Sequence, residues 1–174
     1  MGSLIYLTHT RPDISFAVGM VSCFMQEPHE LHWKAAKRIL HYIQGTHHYG
    51  IHYATGTGLR LVGYTDSNWA GNLVDRKSTS GYSFHLGSGP ICWQSEKQHA
   101  IALSSTEAEY RGIVNTATET IWLQQILTEF GFPTPRPTVL HCDNQSAIAI
   151  SKNPVQHQRT KHIEIHMHYI RELI

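Results

Sequence analysis

Carboxylates recur in three short motifs of this chain: Tyr64-Thr65-Asp66-Ser67-Asn68-Trp69, Ser104-Ser105-Thr106-Glu107-Ala108-Glu109-Tyr110 and Cys142-Asp143-Asn144-Gln145-Ser146. Asp66 and Asp143 each close an apolar run that reads as a strand, and Glu107 and Glu109 open a long helical period. Acids at strand ends and at a helix start can converge on one point. Two carboxylates about 5 Å apart repel by roughly 3 kcal/mol at an effective dielectric near 20. Gathered acids therefore raise their pKa values or collect a cation. Oxygen donors select magnesium or manganese over zinc. Paired divalent ions about 4 Å apart would activate a water and stabilise the leaving oxygen in phosphodiester hydrolysis.

Each acid also has a structural role open to it. Asp143 stands between a strand and a helix, where an Asp N-cap is common. Thr106 to Glu109 fits a capping box, and Ser104 to Glu107 fits one a little earlier. Asp66 shares a strand face with Val62 and Tyr64, and on a buried face an unpaired carboxylate would be expensive.

The elements that would position these acids follow from periodicity. Ile14 to Phe24 and Leu31 to Gln44 read as helices, the second with an apolar stripe of Ala36, Ile39, Leu40 and Ile43. Gly45 is a natural stop. Gly50 to Ala54 reads as a short strand, as do Leu59 to Asp66, Tyr82 to Leu86 and Ile91 to Trp93. Gly87-Ser88-Gly89-Pro90 makes a hairpin turn between the last two. Thr106 to Phe130 is helical and long enough to be bent or split. Gly131 and three prolines end it. Thr138 to Cys142 is a strand, Gln145 to Ser151 a short helix, and Lys161 to Ile174 a further helical stretch. The order implies an α/β mixed sheet with helices on its faces.

The bulk properties exclude some classes. The 174 residues suit one domain, or one small domain with a flanking piece. The net charge of +1 shows no overall basic field. Basic clusters are local: Lys34, Lys37 and Arg38; Arg76 and Lys77; Arg159 and Lys161. The three cysteines are dispersed, so a disulfide framework or a cysteine zinc site is not expected, and a reducing compartment is. Neither a secretory leader nor a membrane-spanning run is visible, and the expected compartment is the cytoplasm or nucleus.

Five motifs carry a resemblance: Thr65 to Gly71, Asp75 to Tyr82, Ser104 to Tyr110, Cys142 to Ala147 and Arg159 to Glu164. In that order they resemble the ribonuclease H region of copia-type retrotransposon Pol polyproteins, above all those of plants. Leu4 to Ile14 is similar to the segment joining reverse transcriptase to that region. The resemblance implies residues 1–55 as a C-terminal connector of a reverse transcriptase and residues 56–174 as a ribonuclease H-like domain. It implies a five-stranded mixed sheet flanked by helices, and cleavage of the RNA strand of an RNA–DNA hybrid with two magnesium ions, manganese substituting. Asp66, Glu109 and Asp143 would be the catalytic metal ligands. Glu109 is preferred to Glu107 because Tyr110 and Gly112 follow it in the family's pattern, although the choice stays open. Ser67, Asn68, Asn144 and Gln145 would lie near the hybrid, where amides suit sugar hydroxyls. The expected partners are the hybrid and the reverse transcriptase portion of the same polyprotein, the expected place a retroelement particle. The family continues into a fifth strand and a helix with a fourth acid, which this chain is expected to lack.

Two rival readings compete. His157, His162, His166 and His168 cluster in sequence, with His162 and His166 at helical spacing, but as His-x-x-x-His and not His-Glu-x-x-His. Zinc ligation there competes with a solvated face. The other rival is a weak or inactive retrotransposon-derived fragment that keeps the scaffold and at most binds nucleic acid.

Overall fold

The computed structural model describes residues 1–56, 58–72 and 75–152. The histidine group from His157 to His168, the motif from Arg159 to Glu164 and the helix expected from Lys161 lie outside them.

Three helices lead the chain: α1 (Gly2–Leu7), α2 (Ser15–Ser22) after a 3-10 turn at Pro12–Ile14, and α3 (Glu30–Gly45). Alone, helices this short are marginal. They hold by burying one shared cluster of Leu4, Ile14, Val18 and Ile39. Arg11 ties the unit together. It is buried, donates to both carboxylate oxygens of Asp13 at 2.9 and 2.7 Å, and reaches the Thr46 carbonyl at 3.1 Å. The Tyr42 hydroxyl donates to Asp13 at 2.9 Å. The Arg11 hydrogen bond holds the Asp13 carboxyl below its ordinary value.

The sheet follows: β1 (Leu61–Asn68), β2 (Thr79–Leu86), β3 (Gly89–Lys97) and, after the long helix α4 (Ser105–Glu129), β4 (Val139–His141). The strand order is β3-β2-β1-β4. β1, β2 and β3 form an antiparallel meander, whereas β4 pairs with β1 in parallel, with Tyr64 opposite His141. Helix α5 (Gln145–Lys152) closes the described part. This is an α/β arrangement with an open, mixed four-stranded sheet among the described residues.

Helix α4 is one continuous 25-residue helix, not a split one. The Ser104 hydroxyl accepts from the Glu107 amide at 3.1 Å, and Glu107 accepts from the Leu103 amide at 2.9 Å. At the far end Gly131 takes φ +80, and the Phe132 amide reaches back to the Leu127 carbonyl at 2.8 Å. This left-handed closure favours glycine. The apolar face of α4 covers the sheet through Leu123, packed with Leu61 and Phe84.

The segment expected as a strand at Gly50 to Ala54 is irregular. It is held from the side instead. The Tyr53 hydroxyl donates to the Pro90 carbonyl at 2.6 Å, and the Ala54 amide to the Ser88 hydroxyl at 2.8 Å. The Trp93 indole donates to the Thr8 carbonyl at 2.8 Å. The helical unit is therefore fastened to the edge strand β3.

Arg11→Met should leave Asp13 with Tyr42 alone and the Thr46 carbonyl with the Tyr49 amide alone, and cost on the order of 1–2 kcal/mol. Urea unfolding at neutral pH measures this, and an unshifted midpoint would refute the role given to Arg11.

Candidate metal centre

Strand β1 shows which side of the sheet is dry. Leu61, Gly63, Thr65 and Ser67 are buried, whereas Tyr64, Asp66 and Asn68 are exposed. Tyr64 is 46% exposed. The expectation that Asp66 shares a buried face with Val62 and Tyr64 is corrected. Helix α4 lies so close to β1 that only small side chains fit beneath it. A Cβ on Gly112 would stand 2.7 Å from Ser67 Oγ and 3.1 Å from Thr65 Oγ1.

A polar relay fixes the start of α4 over this spot. Ser67 Oγ and Ser80 Oγ are 2.8 Å apart. The Gln98 amide nitrogen donates to Ser80 Oγ at 2.6 Å and to the Ala108 carbonyl at 2.9 Å. The Trp69 indole donates to the Ala102 carbonyl at 3.0 Å, which ties the loop after β1 to the approach to α4. Ser67, expected near a nucleic acid, thus has its hydroxyl enclosed in packing.

Glu107 and Glu109 part ways. Glu107 caps the helix and accepts from Arg111 at 2.6 Å. Glu109, two residues on, is 6% exposed and faces the sheet. Its carboxyl pKa is raised from 4.5 to about 7. Burial is the largest cause, a hydrogen bond from the Ser67 backbone opposes it, and the charges of Asp66 and Asp143 raise it further.

Asp143 does not cap α5. That task falls to Asn144, whose Oδ1 accepts from the Ala147 amide at 2.9 Å. Asn144 directly precedes the helix, and its capping leaves the Asp143 carboxylate to the cluster. One ligand atom each from Glu109, Cys142 and Asp143 lies within 4.8 Å of the others. Asp66 is outside that tight group but acts on Glu109 and Cys142 through its charge.

Cys142 is the member that sequence reasoning missed. The strand expected to run through it stops at His141. The thiol therefore turns inward, with its sulfur 4.0 Å from Glu109 Oε2. Burial, then the surrounding carboxylates, push it above the ordinary thiol value, although the Asn144 backbone draws it down. A thiol so placed stays protonated and is a poor ligand in that form. The carboxylates are the hard donors, and a buried Glu109 short of positive charge is what a divalent cation would relieve. The residues present fit such an ion.

An α/β domain with an open mixed sheet, in which acids on a strand and after a strand end act on a buried helical Glu109, is the class these features define. Comparison with known proteins gives the family. The chain is 49% identical over 174 residues to the Retrovirus-related Pol polyprotein from transposon RE1 of Arabidopsis thaliana, matching 100% of this chain and 12% of that protein. It is 46% identical over 174 residues to that of transposon RE2 from the same plant, again over 100% of this chain and 12% of the relative. The Pol polyprotein from transposon TNT 1-94 of Nicotiana tabacum is 46% identical over 175 residues, with 100% of this chain and 13% of the relative covered. The chain belongs to the copia-type retrotransposon Pol polyproteins, of whose length it spans roughly an eighth. No family model and no solved structure matches it. Among the described residues no helix is long and apolar enough to cross a membrane.

Glu109 holds its proton to a higher pH in the folded chain than in the unfolded one. Its contribution to stability is full below about 4.5 and is lost as pH rises through about 7. Glu109→Gln should remove that slope in metal-free buffer and gain on the order of 2 kcal/mol over the parent at pH 8 relative to pH 4.5. This is less than the whole shift implies, because Asp66 and Asp143 stand in solvent. Urea titrations at both pH values read it; parallel stability curves would contradict the burial argument.

Proposed function

We propose that residues 56–174 form a ribonuclease H-like domain that cuts the RNA strand of RNA–DNA hybrids, and that residues 1–55 are the connector from a reverse transcriptase of the same polyprotein. The observation that carries this reading is that Asp66 and Asp143, far from Glu109 in sequence, both act on its buried carboxyl, while Glu109, Cys142 and Asp143 offer ligand atoms within 4.8 Å of one another. Membership of the Pol family supports it.

Asp66, Glu109 and Asp143 would hold magnesium, or manganese in its place. The bound ions would supply Lewis-acid stabilisation of the phosphoryl oxygens and lower the pKa of an attacking water. The protein's own part is positioning. Glu109 is set by the close crossing of α4 over β1. Asp66 presents its carboxylate at the solvent side of the sheet, where a bulky polymer can reach it. Asn68 and Gln145 are exposed, and Asn144 keeps its amide nitrogen to donate while its oxygen caps α5. These three amides suit the sugar hydroxyls of a hybrid. Ser67 contributes through its backbone, given its enclosed hydroxyl.

Asp66→Asn should lower magnesium-dependent cleavage of a labelled hybrid by at least about a hundredfold, since it removes charge needed in the transition state. It should also weaken manganese binding measured by electron paramagnetic resonance. Cleavage equal to the parent's would end the proposal. Hybrid binding without cleavage by the parent, in either metal, would favour the scaffold reading.

A further inference from the structure

Helix α3 has a side that its packing does not use. Ala36 and Ile39 face the helical unit's core, while Lys34, Lys37, Arg38 and His41 are exposed. Their spacing of three and four residues places them along one stripe. The charges of Lys34, Lys37 and Arg38 so spaced repel one another, and one acid, Glu30, answers them with a 2.8 Å ion pair to Lys34. Lys37 lies over the ring of Trp33, 5.1 Å from its centroid, and that indole is 58% exposed. A stripe of self-repelling cations bordered by an open indole is complementary to a polyanion bearing flat rings.

The acid cluster makes the need for such a stripe plain. The exposed Asp66 and Asp143 carboxylates repel a phosphate backbone when no cation is bound, so the site is not what would retain the polymer. Helix α3 packs on α2, which in turn packs against β3, and the Trp93 and Tyr53 bonds lock this unit to the sheet. A strand caught on α3 is thereby held on a unit bonded to the sheet that carries the cluster.

We infer that the Lys34, Lys37, Arg38 and His41 face of α3, with Trp33, is a sequence-independent docking surface for a nucleic-acid backbone. Choosing nucleic acid over other polyanions rests on the nuclease reading. The contact itself needs no metal and no catalysis.

The test is fluorescence anisotropy of the full chain with a short labelled RNA–DNA hybrid in EDTA, between about 50 and 200 mM salt. Combined Lys34→Gln, Lys37→Gln and Arg38→Gln substitutions keep helix propensity. They should weaken binding at least about tenfold and reduce the log–log salt slope by about 2 to 3. Glu30→Lys acts in the opposite sense. It should tighten binding several-fold and steepen the slope by about 1, which keeps the inference testable if the triple variant melts early. Unchanged affinity and slope in a folded triple variant would overturn it. So would a parent chain that ignores the hybrid but binds phosphatidylserine vesicles through the same lysines. If the variants bind like the parent while magnesium-dependent cleavage persists, this inference fails alone. If the hybrid binds as inferred yet is never cut, the nuclease reading fails alone.

Discussion

The contact on which the site depends is the crossing of α4 over β1 at Gly112. Without a side chain there, the helix settles onto Thr65 and Ser67. Burial of Glu109 follows directly, because it lies one turn earlier on the same helix. The same approach explains why the dry face of β1 carries Gly63, Thr65 and Ser67 and not its bulkiest residues. The Ser67–Ser80–Gln98–Ala108 relay then sets where along the strand the helix begins. Packing decides distance, hydrogen bonding decides register, and the raised Glu109 pKa is the electrostatic result of both.

Much of this was legible in the sequence wherever a local rule and the global fold agree. The Ser104 to Glu107 cap, the Gly131 stop and the hairpin through Gly87 and Gly89 are local events with strong signatures. The strands that carry Asp66 and lead to Asp143 could be read for the same reason, although β1 runs on to Asn68 and β4 stops at His141. The side of β1 that is buried could not. Alternation favours the larger apolar residues for the core, and here the helix demanded the smaller ones. Capping at Asn144 was equally hidden, since Asp143 and Asn144 are both good caps and only the exit angle from β4 separates them. Cys142 was hidden by the early end of that strand.

The helical unit illustrates a different kind of stability. It relies on one buried guanidinium and the Asp13 carboxylate it pairs with to join a turn, a helix end and, through Asp13, a tyrosine. Fixing several backbone segments through one planar, multi-donor group is a use to which arginine is suited and lysine is not. Its attachment to β3 also covers part of a sheet edge that would otherwise invite pairing.

The supports beneath the two nearest acids differ in stiffness. Glu109 rides on a long helix pressed against β1 and β2, whereas Asp143 follows a three-residue strand and precedes an eight-residue helix. Short elements with few ladder bonds open at lower free energy than the core beside them. If the proposed cation binds, Glu109 would be the stiffer of its two nearest supports and Asp143 the more adjustable one, on a corner anchored by Ala147, which is wholly enclosed against α4.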